Sequence, residues 1–192
     1  MSERIIIRQS CRILPPAPTK KFFAAMNPGY RITCEALLHS GVRLVELLSL
    51  RDHPEWFHEK DRLIDLPKEG SAKKIKAESV DRTIRLTEDG CRAIETFLKV
   101  KPPIRKSDAF GRALKRYAIK SGLDTKGIKP KMFRKMLASW LVECKDDLHI
   151  DALDITANMG HDLKTLQKHY LGIGFSQEEH IEMMMFLKGW KR

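Results

Sequence analysis

The sequence has little that would staple it, carry it through a membrane or grip a thiolate-bound metal. Its four cysteines, Cys11, Cys34, Cys91 and Cys144, lie far apart, and no Cys-x-x-Cys pair occurs. That spacing argues against a disulfide framework and a structural zinc site, and it suits reduced thiols in a cytoplasmic protein. A run of about 18 apolar residues, the length of a membrane-spanning helix, is missing. The opening stretch, MSERIIIRQSCRILPPAP, has three arginines and only short apolar runs, unlike a secretory signal. Acids are scarce in one region. Between Lys99 and Lys135 only Asp108 and Asp124 stand against thirteen lysines and arginines, so this block carries as much net charge as the whole chain's +11. Charge so concentrated favours a polyanionic partner; a solvated helical face is the other reading that charge alone allows.

What is present suffices for a folded domain. Hydrophobic residues make up 42% and charged residues 32% of 192 positions, a globular profile with room for one core. PPAP at 15–18 sets off a basic arm, residues 1–18, from the body. Thr19 is placed to cap a short helix, KKFFAAM, stopped by Asn27-Pro28-Gly29. YRITCEALLHSG reads as a helix ending near Gly41, and VRLVELLSL follows as another. EWFHEKDRLIDLP and DRTIRL read as short antiparallel strands, with the basic segment KEGSAKKIKAESV as the tip between them. Helices then run to the end. Thr87 caps EDGCRAIETFLKV and Ser107 caps DAFGRALKRYAIKSG. Pro130 opens KMFRKMLASWLVEC as a first-turn proline, with Phe133, Met136, Leu137, Trp140, Leu141 and Cys144 as its apolar stripe. DALDITANMG is a further short helix, and Ser176 with Glu179 forms a capping box for QEEHIEMMMFLKGW. The fold class is therefore mainly α with a small antiparallel β-sheet (α+β), the body spanning 19–175 and a terminal helix 176–192.

Several polar residues stand out against this frame. Lys131 and Arg134 are three apart at a helix start, where unpaired N–H groups favour an anion. Arg43 follows Ser40-Gly41 at another helix start, where an ion pair with Glu46 would also account for it. Lysines 68, 73, 74 and 76 crowd the hairpin tip. In NMGHDLKTLQKHY, His161 and Tyr170 are nine residues apart, about two and a half helical turns, and would face opposite ways on one helix. Gly160 supplies a break that lets the chain turn before His161. Singly, each residue has an ordinary structural explanation.

In order, however, SGVRLVELLSL, a lysine-bearing hairpin, PKMFRK, and MGH with a tyrosine nine residues on resemble the tyrosine recombinase (phage integrase) family, from about Thr19 to Tyr170. The resemblance implies that family's catalytic-domain fold and a site-specific recombinase that cuts and rejoins DNA through a 3′-phosphotyrosine intermediate. Arg43 and Arg134 would be the two catalytic arginines, His161 the histidine of the third motif and Tyr170 the nucleophile. The family's usual histidine three residues before the second arginine is Lys131 here, a Lys-x-x-Arg form similar to archaeal and archaeal-virus integrases, and so to a virus or mobile element. Counting from Arg43 favours Lys68 as the hairpin lysine and counting back from RTIRL favours Lys76; the hairpin is longer than usual, and Lys73 or Lys74 in its middle is the expected catalytic lysine. The chemistry suits these residue types: arginines hold phosphate oxygens in forked hydrogen bonds, a lysine protonates the leaving 5′ oxygen, and a phenol of pKa about 10 needs a positive field to attack. No metal or other cofactor is implied. Double-stranded DNA is the expected partner, gripped by Arg112, Lys115, Arg116, Lys129 and Lys135, on which the chain would assemble as a tetramer with exchanged C-terminal helices. The family carries a helical core-binding domain ahead of the catalytic one, so the chain reads as a catalytic-domain fragment or a short member. A recombinase-like DNA-binding protein that does not cut is the alternative; a metal phosphohydrolase built on His161-Asp162 and an inactive basic scaffold are weaker ones.

Overall fold

The chain begins with two strands that the sequence did not lead us to expect. In the computed structural model, which describes residues 5–67, 81–104, 107–160, 162–170 and 172–190, β1 (Ile6–Arg8) and β2 (Cys11–Ile13) form an antiparallel hairpin, Ile6 opposite Ile13. Its turn residues Gln9 and Ser10 both have positive φ, 47° and 57°. Such turns usually announce themselves with Asn-Gly or Gly, and here neither is present. Residues 6–14 of the expected arm are packed against the body: Cys11, Ile13 and Leu14 are buried, and the Arg12 N–H donates to the Gly127 carbonyl at 2.8 Å.

Helix α1 spans Pro16–Ala24, earlier than the expected 20–26. Prolines 16 and 18 fit its first turn because the first four N–H groups of a helix have no internal partner. Thr19, expected as the cap, lies inside the helix and donates its hydroxyl to the Pro15 carbonyl at 2.8 Å. Asn27, expected as part of a stop, instead caps α2 (Pro28–Ser40), accepting from the Tyr30 N–H at 3.0 Å. Gly41 ends α2 in the left-handed conformation, and α3 (Leu44–Asp52) follows directly. A Cβ at Gly41 would meet Leu137 and Met159 side chains at 2.9 Å, so this turn is pressed close to the core.

A 3₁₀ turn (Pro54–Trp56) leads into the expected sheet: β3 (Phe57–His58), β4 (Leu63–Leu66) and β5 (Arg82–Arg85), antiparallel in that order. Then come α4 (Glu88–Val100), capped by Thr87, and α5 (Ser107–Lys120). Helix α6 runs Met132–Glu143, so Pro130 lies before the helix and Lys131 takes the cap position. Its residues from Met132 to Val142 are all buried, including Arg134, Lys135 and Ser139. The apolar stripe expected on one face understates this, because α2, β2, α7 (Ala152–Met159) and α8 (Leu163–Tyr170) all pack around α6.

The last helix, α9 (Gln177–Phe186), has the expected capping box between Ser176 and Glu179. It folds back on the same chain. Phe186 stacks on His39 at 4.3 Å and meets Trp140 edge-on at 4.9 Å, while Met183, Leu187 and Trp190 are buried. Ile181 and Met185 remain exposed on its outer side.

Candidate active site and nucleic-acid groove

The turn from α2 into α3 presents Arg43. Its extended backbone begins α3, and Glu46 one turn later returns to it twice: a carboxylate oxygen accepts from the Arg43 N–H at 2.7 Å, and the other accepts from its guanidinium. The ordinary ion pair foreseen for Arg43 is thus present, and it fixes the guanidinium beside a groove. Glu46 is 1% exposed and also accepts from Arg82 of β5 at 2.9 Å. Burial pushes the Glu46 carboxyl up, but Arg82, then Arg134 and Arg43, outweigh it and hold the group below its ordinary value.

Arg134 enters the same cluster from the first turn of α6. Its Nη1 donates to the Gly41 carbonyl at 2.6 Å, tying α6 to the turn that carries Arg43. Burial pulls this guanidinium down to about 9, helped by Arg82 and Arg43 and opposed by Glu46 and Tyr170. It remains a cation at neutral pH. Tyr170 is the last residue of α8 and only 2% exposed. Burial raises its phenol above the ordinary value, with Arg134 acting in the opposite sense. Lys135 lies 5.2 Å above the Tyr170 ring, and its ammonium donates to the Gln9 side chain at the tip of the N-terminal hairpin. Lys135, expected as a DNA contact, is mostly buried on α6 yet still lines the groove.

These side chains border one groove of about 900 Å³. Arg43, Lys131, Arg134 and Tyr170 all line it, although Tyr170 and Arg43 are 127 positions apart in the chain. Of the basic residues expected to hold DNA, Arg112 and Lys115 from α5 line it too, with Lys129 from the loop before α6 and Lys135 from α6 itself. Lys129 donates to the Ser10 hydroxyl at 2.9 Å, so both hairpin-tip residues hold groove lysines. Arg116 is exposed on α5 but is not among the lining residues. Lys73, Lys74 and His161 lie outside the described residues. Gly160 does end α7 in the left-handed conformation at φ 55°, the turn expected before His161. The loop Asp162 side chain caps α8 through the Thr165 N–H at 2.6 Å, giving this residue a structural role.

Three residues of the site went unread in the sequence as site residues. In the sequence Glu46 reads only as a salt-bridge partner of Arg43. Gln9 had no signal at all. Arg82 had one: in RTIRL, alternation puts Arg82 on the same side as Ile84, which is wholly buried, so an arginine was due on the inner face of a strand.

No family model matches the sequence, and no curated protein matches it. Solved structures do match. The crystal structure of XerA recombinase superposes with a TM-score of 0.64, covering 97% of this chain and 67% of that one at 17% identity. The Tn1549 transposon integrase, in complex with transposon right-end DNA, gives a TM-score of 0.64 with the same coverage at 16% identity. At such low identity the likeness is one of fold, and the fold is that of a tyrosine recombinase catalytic domain, mostly helical with small antiparallel sheets.

Proposed function

We propose that the chain is a DNA strand transferase of the tyrosine recombinase kind, cutting and rejoining DNA with Tyr170 as nucleophile. The observation that carries this reading is the convergence of Arg43, of Lys131 with Arg134, and of Tyr170 on one basic groove from three separate stretches of sequence. In the reaction, the Tyr170 hydroxyl oxygen attacks a backbone phosphorus. A P–O bond to tyrosine forms, the P–O5′ bond breaks, the phenolic proton leaves to a base and the 5′ oxygen takes up a proton. The phosphodiester is conserved as a 3′-phosphotyrosine, so rejoining is the same step reversed. Arg43 and Arg134 hold the non-bridging oxygens, whose charge grows in the transition state; preoriented cations in a sheltered site are suited to that task. Arg134 is anchored by the Gly41 carbonyl and Arg43 by Glu46, so both guanidinium groups are tied to the turn between α2 and α3. Lys131, exposed at the cap of α6, adds charge where the helix start itself favours an anion. A hairpin lysine, Lys73 or Lys74, and His161 complete the set as the groups that protonate the leaving oxygen and bond the phosphate.

The burial of Tyr170 adds a condition. A phenol 2% exposed cannot reach a phosphate in the groove without a shift of α8, so DNA or a neighbouring subunit has to draw it out. Assembly of several copies on DNA, a tetramer in the full reaction, supplies that trigger, and the protein works wherever its DNA is. The Lys-x-x-Arg arrangement fits an integrase of a virus or mobile element. The test uses a pool of nicked duplexes of randomised sequence, in which loss of a short fragment traps any covalent adduct. The expected result is a protein band shifted on a denaturing gel in wild type and absent in Tyr170→Phe. An adduct that persists in Tyr170→Phe removes the nucleophile, and DNA binding with no adduct in wild type leaves a binding protein of recombinase fold.

A further inference from the structure

Arg82 is a buried cation outside the groove lining, and it touches two parts of the site at once. Its side chain is 10% exposed. Nη2 donates to the Glu46 carboxylate at 2.9 Å, the same carboxylate that holds the backbone and guanidinium of Arg43. Nη1 donates to the Met159 carbonyl at 3.2 Å, at the end of α7. The next residue, Gly160, turns the chain toward His161. A Cβ at Gly160 would lie 2.9 Å from Arg82 Nη1 and 3.1 Å from its Cδ, so the glycine serves both the left-handed turn and the approach of this guanidinium.

A buried guanidinium is a poor way to gain stability, since apolar residues of similar volume often do as well or better. Here its geometry explains it. The planar fork bridges a carboxylate and a carbonyl in fixed directions, which lysine, a single rotatable point charge, does not reproduce. Glu46 is faced by Arg43 from the start of α3, by Arg82 from β5 and by Arg134 from α6. Three cations around one carboxylate keep it ionised and leave the cluster positive.

We infer that Arg82 is a positioning residue for the strand-transfer site: it fixes the carboxylate that aims Arg43 and, with its other nitrogen, the helix end from which the chain enters His161. This rests on the function proposed above. It requires that Arg82 act on the chemical step through Glu46 and the α7 terminus, without touching DNA itself.

The test compares wild type, Arg82→Lys, Arg82→Met and Glu46→Gln on the nicked-duplex pool, measuring melting temperature, duplex affinity, and adduct formation against pH in single turnover. Arg82→Lys keeps the charge and is the variant that decides if Arg82→Met does not fold. The expected result for Arg82→Lys is a folded protein with unchanged duplex affinity and adduct formation slowed on the order of 10- to 100-fold, the scale of a small misplacement of a catalytic group. In Arg82→Met, loss of a cation beside Glu46 raises that carboxyl, so the acid limb of the adduct-formation profile moves to higher pH; in Glu46→Gln that limb is lost. A purely structural role would lower adduct formation only in step with melting temperature and equally at every pH. That pattern, or a wild-type rate in Arg82→Lys, overturns the inference. Absence of adduct from wild type instead overturns the strand-transfer reading, and this one with it.

Discussion

At the scale of single residues, the site is a cation cluster organised by one buried carboxylate, and this gives it a pH signature. The Glu46 pKa is held below its ordinary 4.5 in the fold. A depressed carboxyl contributes stability that is complete above its unfolded value and lost as pH falls through its folded value. Glu46→Gln leaves Arg43, Arg82 and Arg134 clustered without their counter-charge, and breaking such a buried pair costs about 3–5 kcal/mol at neutral pH. The deficit should shrink below pH ~4.5, where the Glu46 carboxyl of the unfolded chain takes up a proton while the folded one is still ionised, and disappear as pH falls through the lower folded value. Denaturant melts of the two proteins at pH 7 and pH 3 check this, and a deficit independent of pH would contradict it. Tyr170→Phe is a different case. It removes the attacking oxygen and keeps the ring beneath Lys135, so the adduct should vanish while duplex affinity stays at the wild-type level. Motif order put Arg43, Arg134 and Tyr170 forward together, and the fold gathers all three at one groove. Arg82 was legible only through strand alternation, and Gln9 only through a tertiary contact 126 positions away from Lys135.

At the scale of elements, local chemistry was readable where a side chain caps its own helix. Thr87 and Ser176 cap as expected, since each accepts from a backbone N–H three residues ahead. Reading failed where the signal was ambiguous or tertiary. Asn27-Pro28 serves equally as a stop and as a start, and the neighbouring prolines admitted an earlier α1. The depth of α6 depends on four surrounding elements that no pattern within its twelve residues reports. The terminal helix shows the same limit: its apolar face reads equally as core or as docking surface, and in this structure much of it is core. Trp190 is 3% exposed and Met185 72%. Trp190→Ala is therefore expected to cost about 3–5 kcal/mol and Met185→Ala to stay within about 0.5 kcal/mol. Deleting 176–192 should lower the melting temperature markedly, because Met183, Leu187 and Trp190 leave together. A truncated chain that melts like wild type would return α9 to the role of an exchanged helix with no part in its own core.

At the scale of the whole molecule, charge and groove coincide. The basic stretch from Lys99 to Lys135 contributes Arg112 and Lys115 of α5, Lys129 and Lys131 to the groove that Arg43, Arg134 and Tyr170 also line. A duplex laid there exchanges condensed counterions for these side chains, and each neutralised phosphate contributes about −0.9 to the slope of log K against log salt. Six to eight such contacts give a slope of roughly −5 to −7 for random-sequence duplex. Replacing Arg112, Lys115 and Arg116 with Ala removes up to three of them, so the slope should become shallower by about 2 to 3 while melting temperature holds, since all three side chains are exposed. The effect should be uniform across duplex sequences, because phosphate contacts position a protein on DNA and carry no sequence information. A slope near zero in wild type would remove the groove as a nucleic-acid surface. An unchanged slope in the triple variant would move the contact to another face, and Tyr170, 2% exposed and lining this groove, would then have no phosphate within reach.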